Sequence, residues 1–373
     1  MNMRTRLTAA ALLAATAFGL SAAPGAPAGA DVTPVPDAKA ASKVFSFAGF
    51  AGDSDNPANT ESFTAPGTTP IVGNFKGNAI DDIFWYTPGA GGDELWTGTG
   101  GYEFTETAIS VSGSYTPYVG TFSAIDYHQD ILWYSATAAS QVWDFNPDGS
   151  ITKSSMPAVT GPGQILIGDF AGDGIADVIR YRPGVASDSW WDFQTMSVAG
   201  RAFNVNGTYT PIVGAFAGDV ITDILFYAPG QSSDFLWDFN GGGAKEEWKL
   251  GINGTYTPVV GGFSLDGAQD ILWYAPGAAG DSYWDFETGT YETKAMSING
   301  TYKPVACTCL QSGSPWADVV FYGAGNAADA AWKTTSAQQL IHANVGTSIG
   351  GSSVAAVGSF HEGSTLETLL IRH

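Results

Sequence analysis

Two sets of side chains recur in this chain with spacing that could serve chemistry. Asp93, Asp188, Asp234, Asp281 and Asp329 each follow a glycine turn by a few small residues, and Gln141 takes that place in one further copy. Tyr115 closes a Ser-Gly-Ser-Tyr run, and Tyr209, Tyr256 and Tyr302 each close an Asn-Gly-Thr-Tyr run. A carboxylate and an aromatic ring repeated side by side suit a hydroxyl-rich ligand. The competing reading is that Pro-Gly and Asn-Gly are turn chemistry, copied with the repeat as spacers.

A third set offers oxygen ligands. Asp169, Asp173 and Asp177 are spaced by four residues around Gly174. Calcium takes roughly six to eight oxygens, commonly from carboxylates along one short loop with a glycine turn. The loop is therefore a candidate calcium site, and the other copies of it hold fewer acids. The alternative for the last aspartate is that it accepts hydrogen bonds from its own turn. Trp143, Trp191, Trp237 and Trp284, with Trp96 and Trp332 in the outer copies, are read as packing residues, since each ring buries a large area. A sugar-stacking platform would need one exposed ring face. The aspartates after four of them, Asp144, Asp192, Asp238 and Asp285, suit backbone and ligand equally.

Catalytic chemistry has thin support. His128, His342, His361 and His373 are scattered, and no nucleophile-elbow, zinc-protease or Cys/His zinc spacing occurs. An enzyme, a lyase or hydrolase, would need one site where polar residues converge on a central channel. Arg180 and Arg182 are the clearest departures from the repeat.

The elements that must position these residues form a repeat. Val-Gly-x-Phe, an Asp-Ile-Leu-Trp-Tyr-like run, Pro-Gly, a polar loop and Trp-Asp-Phe recur, anchored at Phe75, Phe122, Phe170, Phe216, Phe263 and Phe360, with Cys309 in the sixth copy. The spacings of 46 to 51 residues match a four-stranded propeller blade. In the fourth copy the strands are expected at 211–216, 223–227, 234–239 and 246–252. The second strand is apolar on both sides, as at Ile271, Leu272, Trp273 and Tyr274, so both its faces must be covered. The seventh copy holds only two strands, Val354–Phe360 and Leu366–Ile371. Residues 43–47 and 60–65 supply strands of the missing kind. The chain is thus expected to be all-β, a seven-bladed β-propeller whose last blade is built from both termini, which removes two exposed sheet edges.

Ahead of this repeat, residues 1–30 read as a secretory signal peptide: Arg4 and Arg6, an apolar Ala/Leu run to Ala23, then Ala28-Gly-Ala30. A linker follows at 31–43, and the propeller occupies 44–373. The formal net charge is −21, and removing the leader deletes two arginines and no acid, leaving −23. Nucleic acid and anionic membrane surfaces are poor partners for such a chain, and no later run is long and apolar enough to insert in a membrane. Cys307 and Cys309, the only cysteines, lie two positions apart. On an extended strand their Cα atoms sit near the upper limit for a bridge, so two buried thiols are expected.

Val-Gly-Asp169-Phe170-Ala-Gly-Asp173-Gly-Ile-Ala-Asp177-Val resembles the FG-GAP, or VCBS-type, repeat of bacterial exported proteins and integrin α-subunit propellers. By period the resemblance covers residues 44 to 373, and the third copy carries the motif best. It implies a seven-bladed propeller with cation loops between the first and second strands. Ala171 stands where that pattern has a further Asp or Asn. Together these readings predict a secreted, multivalent binding protein for a carbohydrate polymer or cell-surface glycan. A protein-docking propeller and a single-site enzyme are the alternatives.

Overall fold

The computed structural model describes residues 43–48, 62–89, 92–123, 126, 128–185, 187–194, 197–264, 266–277, 280–310, 316–325, 327–335, 339–343, 348–361 and 366–373. The expected leader and all of the linker but Lys43 lie outside them. The described chain forms seven antiparallel sheets of four strands each. Six blades are continuous in sequence, at 69–109, 116–156, 164–201, 210–249, 257–296 and 303–343. In the seventh, Ser353–Gly358 and Thr368–Arg372 pair with Lys43–Ala48 and Phe63–Ala65 in that order. First strands of neighbouring blades approach one another, those of the seventh and first among them, and each blade shares a core with the next, so the sheets close a ring. The fold is a seven-bladed β-propeller, all-β, with the last blade joined from both ends of the chain. Among the described residues no helix is long and apolar enough to cross a membrane.

The second strand explains the packing. In the first blade it is Asp82–Tyr86, and all five residues are buried. Side chains alternate across a strand. Ile83 and Trp85 accordingly pack with Phe45, Ala65 and Leu370 of the seventh blade, while Phe84 and Tyr86 pack with Ile131, Trp133 and Trp143 of the second. Every pair of neighbouring blades shares one such core. Burying an aromatic ring removes about 150–250 Å² of its surface from water, so these cores carry the stability that a stack of sheets needs. The tryptophans of the third strands belong to them: Trp143, Trp191, Trp237 and Trp284 are at most 8% exposed. Packing, not an open stacking platform, is their role.

A second set of contacts runs around the ring. The residue before each second strand donates its N–H to a carbonyl of the preceding blade: Gln129 to Asn74, Thr222 to Asp169, Gln269 to Ala215, Glu367 to Thr308 and Asp81 to Ser359. Each of these side chains accepts the N–H of that same partner residue in return. Ala176 and Ala317 make the backbone half alone, to Thr121 and Gly262.

Observed boundaries in the fourth blade are Thr210–Gly214, Asp223–Tyr227, Phe235–Phe239 and Lys245–Lys249. The fourth strand ends three residues before its expected limit, because Leu250 and Ile252 turn inward to the core shared with the fifth blade. The cysteines correct a second expectation. Cys307 ends a strand and Cys309 lies beyond it, so the chain is no longer extended between them. Their Cα atoms come to 5.3 Å, and the two form a disulfide. The pair is therefore not two free thiols.

Candidate functional site

The rim that carries the recurring aspartates and tyrosines is built by two clips in each of the first six blades. In the fourth blade the Asp234 carboxylate accepts the Ala228 N–H at 2.7 Å and the Ile252 N–H at 2.8 Å, tying the loop after the second strand to the loop after the fourth. Asp93 does the same for Thr87 and Val111, Asp188 for Arg182 and Val205, Asp281 for Ala275 and Ile298, and Asp329 for Gly323 and Ile349. In the second blade the clip is Ser140, which accepts from Ser135 N–H and donates to the Val159 carbonyl. This corrects the alignment that put Gln141 there. Gln141 pairs with Trp133, as Glu94 pairs with Trp85, and so points to the other face.

The second clip is the tyrosine that ends the second strand. Tyr227 donates its hydroxyl to the Gly254 carbonyl at 2.8 Å and accepts the Tyr256 N–H at 2.9 Å. Tyr86, Tyr181 and Tyr274 repeat both bonds, to Gly113 and Tyr115, Gly207 and Tyr209, and Gly300 and Tyr302. Burial raises the pKa of each of these hydroxyls, so they remain protonated donors. Glycine is required in the clipped turn. Gly254 has φ of 138°, and a Cβ there would come within 2.6 Å of the Tyr256 ring.

The structure thus places Asp93, Asp234, Asp281 and Asp329 at 1%, 2%, 3% and 9% exposure, with Asp188 half-buried, and both oxygens of every one receive backbone N–H groups. They hold loops together and do not face a ligand in solvent. Tyr115, Tyr209, Tyr256 and Tyr302 lie beside them, as expected, and are half-buried. Each leans edge-on against an aromatic ring of the following blade, respectively Trp133, Phe226, Trp273 and Phe321.

Beside Tyr256 the rim opens into a cavity of about 350 Å³ between the fourth and fifth blades, lined by Asn253, Tyr256, Trp273, Ser282, Trp284, Tyr291 and Thr293 among others. Trp284 and Tyr291 stack at 4.8 Å with their planes 10° apart. The Trp284 indole N–H is held by Ser282 Oγ at 3.1 Å, which leaves the Ser282 hydroxyl hydrogen free to donate. The Trp273 indole N–H is buried without a partner among the described residues. Trp85 and Trp133, at the same place in the first and second blades, are alike in this. Asn253 reads in the sequence only as turn chemistry in its Asn-Gly-Thr-Tyr run, and Ser282, Tyr291 and Thr293 escaped the sequence reading because they stand outside the repeated motif. Pairing of Ser282 with Trp273 and of Thr293 with Trp284 is the register information that would have found them.

The three acids of the candidate calcium loop do not converge. Asp169 accepts the N–H groups of Gly172, Asp173 and Gly174, and Asp173 accepts that of Ile175. Asp177 is fully buried and receives Ala171 and Phe193 N–H groups. Burial pushes Asp177 up to about 7 against the donors that favour its charge. Among the described residues no three His, Cys, Asp or Glu side chains are arranged to hold a metal. As folded, the loop is capped by its own backbone.

No protein-family model matches this chain, and no curated protein matches it. Among solved structures, a chain of the Photorhabdus luminescens Tc holotoxin pore is similar at 13% sequence identity, with a TM-score of 0.47. The match covers 74% of the present chain and 14% of that one.

Proposed function

We propose that this chain is a secreted carbohydrate-binding propeller, of the exported class that its FG-GAP-like third repeat resembles, and that it takes glycans in clefts at the tyrosine rim. The observation that carries this reading is the cavity of about 350 Å³ beside Tyr256. The half-buried rings of Tyr256 and Tyr291 offer apolar faces to the C–H side of a sugar, while Asn253, Ser282 and Thr293 offer donors and acceptors to its hydroxyls. The recurring aspartates keep the rim rigid and stay out of the contact. Tyr115, Trp133, Gln141 and Trp143 form a related group in the second blade, where Gln141 Nε2 donates to the Tyr115 hydroxyl at 3.0 Å. Clefts of this kind are shallow and each binds weakly. Several engaging one polymer can add roughly 10²–10⁴ in avidity.

The test is retention on insoluble polysaccharides, followed by calorimetry with soluble fragments of whichever polymer retains the protein. Tyr291→Ala is expected to weaken fragment binding without changing the melting temperature by more than a few degrees, because Tyr291 lies on the outermost strand. A chain retained by no polysaccharide, or one whose binding ignores Tyr291→Ala, overturns the assignment of this cleft.

A further inference from the structure

At the opposite rim, again between the fourth and fifth blades, a second cavity of about 310 Å³ is lined by Asp219, Asp238, Asn240, Glu246, Trp248 and Thr288 among others. Three acids and an aromatic ring meet there, with no base among the lining residues. Asp238 is 7% exposed, its Oδ1 is sealed from solvent, and the side chain has no hydrogen-bond or ion-pair partner among the described residues. Burial raises its pKa, and Asp219 and Glu246 raise it further by repulsion. A buried carboxylate among like charges is costly unless a cation or donors compensate it.

The neighbouring blades show what compensates it elsewhere. Asp192 in the third blade and Asp285 in the fifth stand at the position of Asp238, each directly after the third-strand tryptophan. Asp192 is ion-paired with Arg201, and Asp285 with Lys294 at 2.7 Å. Both cations also lie over a third-strand ring, Arg201 over Trp190 at 5.1 Å and Lys294 over Tyr283 at 5.4 Å. The strand registers make the correspondence definite. Arg201 pairs with Trp190 and Lys294 with Tyr283, and the matching pair in the fourth blade is Trp248 with Leu236. There the chain has exchanged the cation for a tryptophan and left a cavity, while Glu246 stands opposite Asp238 as Glu292 stands opposite Asp285.

We propose that this cavity is a binding site for an organic cation, a guanidinium or alkylammonium group supplied from outside the chain. The acids would hold the charge as Asp192 and Asp285 hold Arg201 and Lys294. Trp248 replaces Trp190 and Tyr283 as the ring beside it, an arrangement that attracts cations through the ring quadrupole. Such a group comes either as a free small molecule or as an arginine or lysine side chain on a polypeptide. The site is separate from the glycan cleft and stands or falls independently of it.

Methylguanidinium and butylammonium chlorides represent the first source, and an acetylated, amidated Gly-Arg-Gly peptide the second. Titration of the intact chain, followed by calorimetry, is expected to show saturable binding of one equivalent. Tighter binding of the peptide assigns the site to polypeptide side chains, and tighter binding of methylguanidinium assigns it to free cations. Asp238→Asn should weaken either by about tenfold or more, the scale of one charge-assisted hydrogen bond. Trp248→Arg should restore the pattern of the third blade, raising the melting temperature while abolishing binding. No saturable binding to the wild-type chain overturns the proposal. So does binding that Asp238→Asn leaves unchanged, or a folded Trp248→Arg chain that binds as well as wild type.

Discussion

The second and fourth strands of a blade are built from the same repeat and have opposite characters. Second strands open with aspartate in six blades, Asp82, Asp130, Asp177, Asp223, Asp270 and Asp318, and close with tyrosine in the same six. Their residues are buried almost throughout. Each opening aspartate cross-links its sheet: Asp223 accepts Phe216 and Ala217 N–H groups through one oxygen and the Phe239 N–H through the other. Fourth strands have no residue common to every blade and are largely exposed, as in Lys245–Lys249 and Thr290–Met296. Yet Arg201, Trp248, Tyr291 and Lys294, which the proposals above turn on, all lie on them. Recurrence marks the scaffold, and individual chemistry sits where recurrence lapses.

The comparison breaks most visibly at Asp223. Asp223→Ala removes one buried acceptor from three backbone N–H groups, and each orphaned group costs about 1–3 kcal/mol. Urea denaturation is expected to show a loss of several kcal/mol, or no cooperative transition at all. Glu292→Ala, on an exposed part of a fourth strand, should stay within about 0.5 kcal/mol of wild type. Equal losses from the two changes would mean that the strands are not divided in this way.

A smaller effect comes from acidity. Burial is the largest influence on the second-strand aspartates and outweighs their backbone donors, so Asp82, Asp130, Asp177, Asp223 and Asp270 are each pushed up to about 7, and Asp81 to about 6. In the unfolded chain these groups ionise near the ordinary 3.8. Between those limits the folded state holds protons that the unfolded state has released. Stability therefore rises as pH falls from about 7 toward 4 and is lost as pH rises back through 7. Thermal melts at pH 8 and pH 5.5 should show the higher midpoint at pH 5.5. A lower midpoint there would mean that the backbone donors win over burial.

Most of the fold was legible because its signals are periodic. The Phe anchors gave the blade count, the two-sided second strand required cover on both faces, and the incomplete seventh copy pointed to closure with residues 43–65. The site was less legible for the same reason. Asp93, Asp234 and Asp281 recur with the loops that they clip together. What distinguishes the blades, such as Trp248 in place of Arg201 and Lys294, is visible only once strand register aligns the exposed strands. The cysteine pair was misread on the assumption of an extended chain through Cys309, where the strand has already ended.

The smallest expected effect concerns the third blade's loop, where the scaffold resembles a site. Asp169 closes around the N–H groups of Gly172, Asp173 and Gly174, with its nearest donor at 2.7 Å. A calcium ion would have to share those oxygens with three donors, and Asp177 would have to leave a fully buried position. Coordination of that kind works against the capping that the folded loop already holds. Melting of the intact chain in millimolar calcium is expected to coincide with melting in chelator. Asp173→Ala, which removes a single exposed-side bond to the Ile175 N–H, should shift both curves alike and by little. A calcium-dependent rise that Asp173→Ala abolishes would instead mean that the loop rearranges to bind. The boundary between scaffold and chemistry would then run through the first blade-to-blade loop as well as the fourth strands.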